Sequence, residues 1–350
     1  MQLATRYENY SDAEDALKPK VALFWEAAEW ISFRASYAGG FRAPGLQQTT
    51  EDVLPRRYSV NDPLNDNESF EIVEKRSGNA DLITEDDTNI SWGIVLQPND
   101  NLTFTIDGWK IKQEDLVSII ATSTLIDLDY ISRVDGGSGF AGVNRDVNGE
   151  ITTVDNKYQN AAKQELEGLD FSLVFDFDTD IGSFEFTTNA AYLSKYQISI
   201  DALSAQVIAA AATGNYPNLD TGTPSGVGDQ IMRNGSPEWK ARTSLNWKLN
   251  QWGAGISANY VSEFFDTSTN YKNDAGETIY LPVDSFTTIN VYASYKFAKD
   301  SSLGGMRVRL GARNIGDEEP PLADDFWHGY AGDYHSNRGR YIYVNLSKSF

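Results

Sequence analysis

Cysteine is absent from this 350-residue chain, which removes disulfides, thiol catalysis and thiolate metal sites together. Long apolar runs are absent too: no stretch approaches the roughly 20 residues that a membrane-spanning helix requires. Positive charge is scarce, with 29 Lys and Arg against 50 Asp and Glu and a net charge of -21. Phosphate binding needs clustered positive charge, so no nucleic-acid partner is expected. The opening residues, MQLATRYENY, lack a basic segment followed by an apolar run and a small-residue cleavage site, and so carry no secretory signal. Catalytic signatures are missing as well: there is no Gly-x-Ser-x-Gly elbow, no HExxH and no phosphate-binding Gly loop. Acidic pairs such as Glu318 and Glu319 are too common in so acidic a chain to mark glycosidase chemistry. An enzyme is not expected.

A mean hydropathy of -0.43 reads as a soluble protein, with one exception. A transmembrane barrel alternates lipid-facing and lumen-facing residues, so its average stays low while it spans the bilayer. Period-two alternation marks about twelve strand-like segments, near residues 2–10, 19–27, 30–42, 84–97, 101–112, 164–178, 182–197, 238–249, 252–264, 285–298, 304–314 and 340–350. Leu169, Phe171, Leu173, Phe175 and Phe177 oppose Asp170, Ser172 and Asp176; Ile289, Val291, Ala293, Tyr295 and Phe297 oppose Asn290, Tyr292, Ser294 and Lys296. Each has one face fit for lipid. The final stretch, RYIYVNLSKSF, does the same, with Ile342, Val344, Leu346, Lys348 and Phe350 on one face.

The connections alternate in length. EAAE, QPND, DTDIG, LNQ and AKDSSLG are tight, whereas residues 43–83, 113–163, 198–237, 265–284 and 315–339 form long links. Short periplasmic turns and long extracellular loops are what outer-membrane barrels have. Trp25 and Trp30 flank one tight turn and Trp247 and Trp252 another, where indole rings would sit in an interfacial girdle; core packing in a soluble sheet is the alternative for these four. Within the long links, the Ala-rich DALSAQVIAAAAT (201–213) reads as a short helix. The fold class expected is all-β, a transmembrane antiparallel up-and-down β-barrel.

Several segments resemble TonB-dependent outer-membrane receptors. ASYAGGFRAPGLQQ (35–48) is similar to a strand ending in that family's Gly-Phe-Arg-Ala-Pro turn, and GNADLITEDD followed by a hairpin resembles its GNPDLKPE stretch. LEGLDFSLVFDF resembles its Gly-(Leu/Ile)-Asp strand, LGARNIGDEEPP its Asn-(Leu/Ile)-x-Asp-x-x-Pro-Pro turn, and GRYIYVNLSKSF its terminal strand. In that strand the closing aromatic, here Phe350, would be the signal read by the barrel assembly machinery, and Lys348 stands where an aromatic is usual. The resemblance covers essentially the whole chain and implies about 22 strands in the complete barrel, of which residues 1–350 would be a C-terminal portion. It also implies a signal peptide, a TonB box and a plug, none of which this sequence contains; a truncated gene model, a split gene or an excised fragment would account for that. The function implied is TonB-energised uptake, across the outer membrane of a Gram-negative bacterium, of a scarce solute such as a ferric siderophore or an oligosaccharide. The other reading is a self-contained twelve-stranded outer-membrane pore or adhesin, since an even number of strands can close. A soluble all-β binding module is the third.

Sites are sparser. NRDVNGEITTVD (144–155) fits calcium-loop spacing, with Asn144, Asp146 and Asn148 at alternate positions, Gly149 at the turn and Asp155 last; a hairpin with an Asn-Gly tip explains the same letters. Calcium is the only cofactor that any motif points to. Trp327, His328, Tyr330, Tyr334 and His335 lie in the last long link as ligand-contact residues, by metal or ferric-ligand chemistry for the histidines and by stacking for the aromatics, as at Tyr271 and Tyr280. Arg307, Arg309 and Arg313 line one face of GMRVRLGARN, expected to be the lumen, where they would pair with plug carboxylates or, less favoured, carry anionic cargo.

Overall fold

The computed structural model describes residues 1–10, 15–219, 226–275, 278–324 and 329–348. The chain begins with β1 (Gln2–Glu8), β2 (Ala16–Ala28) and β3 (Ile31–Arg42), followed by a one-turn helix, α1 (Leu46–Thr49). A hairpin of β4 (Val53–Asp62) and β5 (Glu68–Ser77) precedes β6 (Glu85–Asn99) and β7 (Leu102–Ile119). Then come α2 (Thr122–Val134), the short β8 (Val143–Arg145), the long β9 (Ile151–Thr179) and β10 (Gly182–Ile198). After α3 (Ala202–Ala212) and β11 (Gly228–Asp229) the chain continues through β12 (Trp239–Leu249), β13 (Trp252–Val261), β14 (Phe264–Lys272) and β15 (Thr278–Val283). It closes with β16 (Phe286–Lys296), β17 (Met306–Arg313) and β18 (Tyr341–Lys348).

Twelve of these strands form one antiparallel wall in the order β1-β2-β3-β6-β7-β9-β10-β12-β13-β16-β17-β18. They correspond one to one with the twelve segments read from alternation. The wall is an open barrel segment: among the described residues, β1 pairs only with β2 and β18 only with β17. Turns at residues 29–30, 100–101, 180–181, 250–251 and 297–305 lie at one end, and the links through 43–84, 120–150, 199–238, 262–285 and 314–340 at the other.

Register fixes the two faces, because a pleated strand sends alternate side chains to opposite sides. Ala293 stands opposite Leu310, and Leu310 opposite Val344. Leu310 is 54% exposed and Val344 64%, as expected for a surface that meets lipid and not water. One residue along, Ser294 stands opposite Arg309 and Arg309 opposite Asn345, giving a polar inner face. The β-branched and aromatic residues of β16 suit a strand half-buried in this way. At the tight-turn end, Trp25, Trp30 and Trp252 are exposed and Trp25 stacks on Phe33, while the Trp247 indole donates to the Ile181 carbonyl at 2.6 Å. That placement fits the girdle expected of them.

Two differences from the sequence reading concern the long links. β7 runs on to Ile119, and β9 starts at Ile151 and is 29 residues long. At about 3.3 Å per residue, β9 would reach roughly 95 Å, far more than a bilayer needs. Its first half carries no lipid-facing alternation, so hydropathy did not reveal it. The links 43–83, 113–163 and 198–237 are also not plain loops: β4, β5, β8, the start of β9, α2 and α3 pack into a compact body beyond the wall. Its centre holds Val60, Ile72, Leu125, Ile126, Ile151 and Val154, and β5 pairs with β9 in parallel from Val73↔Thr153 to Ser77↔Lys157. α3 matches the Ala-rich helix expected there, with the Asp201 carboxylate accepting from the amides of Leu203 and Ser204 at its start.

Candidate functional site

Four neighbouring strands, β12, β13, β16 and β17, offer Arg242, Asn246, Asn259, Asn290, Arg309 and Arg313 to a concavity of about 820 Å³ on the inner face. The link from residue 314 to 340 overhangs it with Tyr330, His335 and Arg338. Two arginines lie over tyrosines, one of them closely. The Arg309 guanidinium lies 3.7 Å from the Tyr292 ring centre, and that of Arg313 lies 5.8 Å from Tyr343. The rings can lie flat because each faces a glycine across the strand: a side chain at Gly255 would strike Tyr292, and one at Gly311 would strike Tyr343. The Tyr292 hydroxyl donates to Asn246 Oδ1 at 2.9 Å, pinning its ring. Nε of Arg309 is buried with no hydrogen-bond partner among the described residues. Arg307 shares the inner face opposite Ser347, but it is exposed and does not line the concavity.

At the rim, His335 is 4% exposed, with Phe264 and Phe286 at 5.9 and 5.1 Å centre to centre. Among the described residues neither ring nitrogen has a hydrogen-bond partner, and burial lowers its pKa from the ordinary histidine value. Tyr334 covers Gly235, and the Lys240 ammonium lies 5.4 Å from its ring centre. Burial first, and then the charges of Asp333 and Tyr196, raise the Tyr334 pKa. Tyr330 is half-buried on the same link, and Tyr280 lies beneath the Arg233 guanidinium while Tyr271 is exposed. Of the other residues expected here, Trp327, His328 and the terminal Phe350 lie outside the described residues.

The calcium-spaced segment is a hairpin. Asp146 Oδ1 accepts from the amides of Asn148 and Glu150 at 2.8 and 3.0 Å, Gly149 takes the left-handed turn, and Asn144 Nδ2 donates to Asp155 Oδ2 at 3.2 Å. Asn144 and Asp155 thus meet at the base while Asp146 and Asn148 form the tip. Among the described residues, no group of three or more His, Asp or Glu side chains converges as a metal site.

The two motif stretches at 35–48 and 78–87 meet in space. The Asn79 amide donates to the Gln48 carbonyl at 2.7 Å, and a side chain at Gly78 would overlap the Thr50 carbonyl. Arg42 grips buried Glu85 through Nε at 2.6 Å and Nη2 at 2.5 Å, while Glu85 Oε1 also accepts from the Val117 amide at 2.8 Å. This anchors the root of the β4–β5 hairpin to the wall. The Asn314 side chain plays a similar part where the chain leaves β17, accepting from the Glu318 amide at 3.0 Å and donating to its carbonyl at 2.8 Å.

Sequence reasoning missed the buried polar centre of the outer body. Arg145 reaches Asp62 through Nη1 at 2.5 Å and Nη2 at 2.9 Å, and Asp129 through Nε at 2.8 Å. Its side chain is 5% exposed and both carboxylates are 0% exposed. Burial opposes ionisation at Asp62, but hydrogen bonds from Arg145 and Asn65 outweigh it and hold its pKa below the usual value. Burial likewise acts to lower the Arg145 pKa, and its carboxylate partners raise it overall. Beside this centre Glu74 accepts from Thr122 at 2.6 Å, Asn156 at 3.0 Å and Arg76 at 2.7 Å. No motif in the sequence marked it, because Arg145 stands 83 residues from Asp62.

A family model described as TonB dependent receptor-like, beta-barrel, matches residues 1–315. Among solved structures, the siderophore receptor PirA from Acinetobacter baumannii is 17% identical, with a TM-score of 0.63 over 99% of this chain and 43% of that one. The ferric enterobactin receptor PfeA from Pseudomonas aeruginosa, in complex with BCV-L6, is 16% identical, with a TM-score of 0.63 over 99% and 43%. The ferric citrate transporter FecA in its unliganded form is 13% identical, with a TM-score of 0.54 over 95% and 38%. This chain therefore spans less than half the length of each, and at these identities the likeness carries the fold alone. No curated protein matches it.

Proposed function

The chain belongs to the TonB-dependent receptor β-barrel family, and from that premise we propose that it supplies wall and extracellular loops to an outer-membrane receptor taking up a scarce solute with energy from TonB. The observation that carries this reading is the twelve-stranded wall, apolar outside and polar inside, with every long link gathered at one end. In this reading the long-link end faces the medium, the outer body and the 314–340 link collect the solute, and the inner face guides it. TonB acts through a plug, and the assembly machinery engages the last strand, as in the family at large. A ferric siderophore is the cargo class we assign, supported by the names of the structural neighbours PirA and PfeA.

The test is uptake of iron-55 loaded on a panel of siderophores, comparing source cells with cells in which the gene encoding this chain is deleted, each with and without functional TonB. Uptake of at least one ferric siderophore is expected to fall on deletion, and only where TonB is functional. Equal TonB-dependent uptake of every panel member by both cell types contradicts the proposal.

A further inference from the structure

The hairpin that the calcium-spaced segment forms carries a motif that transport does not use. Asn followed by Gly occurs twice in the chain, at 148–149 and at 234–235. Because Gly has no Cβ, the side-chain carbonyl carbon of the Asn before it can approach the Gly amide nitrogen with little hindrance. Bond formation there closes a five-membered ring, and how readily it happens depends on how firmly each Asn and Gly are held.

Asn234 is held at both ends of its side chain. Oδ1 accepts from the Thr267 amide at 2.7 Å and Nδ2 donates to the Thr267 hydroxyl at 2.7 Å, while the Asn234 amide donates to the Phe265 carbonyl at 2.8 Å. Gly235 is buried, and a Cβ there would lie 2.7 Å from the Tyr334 ring. Asn148 is exposed at the hairpin tip, next to the fully exposed Val147. Its Nδ2 stands 3.3 Å from Asp146 Oδ2, longer than the range of about 2.7–3.2 Å usual for such bonds. The Gly149 amide donates to the Asp146 carbonyl at 3.1 Å, and no heavy atom lies within 4 Å of where a Gly149 Cβ would be. A tip with so little packed against it opens locally at small cost. It is nevertheless tied to the buried centre, because the Gly149 carbonyl accepts from Arg145 Nη1, the nitrogen that also reaches Asp62.

We propose that Asn148 is a site of spontaneous deamidation and that its conversion loosens the outer body from the tip inward. A base removes the Gly149 amide proton, the nitrogen bonds to Asn148 Cγ, and the bond from Cγ to Nδ2 breaks as that nitrogen takes up a proton and leaves as ammonia. Water then opens the succinimide, giving aspartate by attack at the side-chain carbonyl or isoaspartate by attack at the backbone carbonyl. Overall one water is consumed and one ammonia released, with no oxidant or reductant. Either product puts a second carboxylate beside Asp146. Isoaspartate also adds a methylene to the backbone before Gly149, so the Gly149 carbonyl cannot stay on Arg145 while the Asp146 amide keeps its bond to the Glu150 carbonyl.

The experiment is ageing of the receptor, carrying this chain in its full natural context, in native outer-membrane vesicles suspended in heavy-oxygen water, followed by peptide mapping and amide exchange with mass spectrometry. Heavy oxygen is expected to enter residue 148 at least about tenfold faster than residue 234, where two hydrogen bonds must first break. Isoaspartyl methyltransferase is expected to label the same peptide, and conversion is expected to be faster at about pH 9 than at about pH 7, since loss of the Gly149 amide proton starts the reaction. Peptides from 143–154 are expected to exchange faster in step with the fraction converted. Asn148→Gln, whose longer side chain closes a ring far more slowly, is expected to age without either change. Label entering 148 no faster than 234 overturns the site, a comparison made within the wild type and independent of any variant. Equal labelling of position 148 in Asn148→Gln overturns the ring-closure route, and full conversion with unchanged exchange at 143–154 overturns the link to the outer body.

Discussion

Arg145→Ala is expected to open the outer body without disturbing the wall. The guanidinium is buried between Asp62 and Asp129, neither of which has any exposed surface, and it also donates to the Gly149 carbonyl at 2.8 Å. Truncation leaves two carboxylates facing one another without their cation, with only Arg133, Asn65 and backbone amides to satisfy them. Breaking a buried pair from one side typically costs about 3–5 kcal/mol, which is roughly a 100- to 4,000-fold rise in the open population. Amide exchange followed by mass spectrometry, on the protein in native outer-membrane vesicles, reads this directly. Peptides from 122–134 and 143–154 are expected to exchange faster by about that factor, while peptides from 286–296 keep their protection. Replacing all three charges together, Asp62→Leu, Asp129→Leu and Arg145→Met, is expected to restore much of the protection, since apolar groups of similar volume need no partners. A rise of less than about tenfold in Arg145→Ala, or an equal rise in the wall peptides, refutes the reasoning.

Acid acts on the same centre: Asp62 has a depressed folded pKa, so its contribution is present above the unfolded value, about 3.9, and fades as pH falls through the lower folded value, and exchange at 122–134 is expected to rise in that window. His335 has the opposite placement, a base whose folded pKa is lowered, so docking of residues 329–335 weakens as pH falls below the unfolded value of about 6.5; limited proteolysis of that link between pH 7.5 and 5.5 is expected to show this in the wild type and not in His335→Phe. Ala293→Arg puts a charge on the lipid face and Ser294→Arg puts one on the lumen face, so only the first is expected to carry the cost of about 2–4 kcal/mol that a midplane cation incurs, seen as loss of heat-modifiable protein in the outer membrane. Gly78→Ala forces a side chain against the Thr50 carbonyl and is expected to speed exchange of the Asn79 amide at least tenfold, with no change in the Ala293 amide.

The wall was legible because its physics is local. Alternation of Ile289, Val291 and Ala293 with Asn290, Tyr292 and Ser294 needs only the neighbours along one strand. The outer body was not, although α2 carries Leu125, Leu128 and Tyr130 on its buried side, because Asp129, Glu74 and Asp62 interrupt the apolar pattern while being fully buried themselves. Their partners lie far away in sequence: Arg145 meets Asp62 across 83 residues, and Asn156 meets Glu74 across 82. The same holds for the inner wall. Arg309 and Arg313 could be placed on one face from the sequence, but their tyrosine neighbours and the burial of His335 arise only when β12, β13, β16 and the 314–340 link come together.

The native chain contains no cysteine, so single cysteines can be introduced one at a time along β16, Phe286–Lys296, in the receptor in outer-membrane vesicles and spin-labelled there. Collision with oxygen, which concentrates in lipid, and with a water-soluble nickel chelate then reports which side each position faces. Period-two alternation is expected, with oxygen favoured at 289, 291 and 293 and nickel at 290, 292 and 294. Uniform nickel access along the strand, or a period other than two, contradicts a membrane wall built as described.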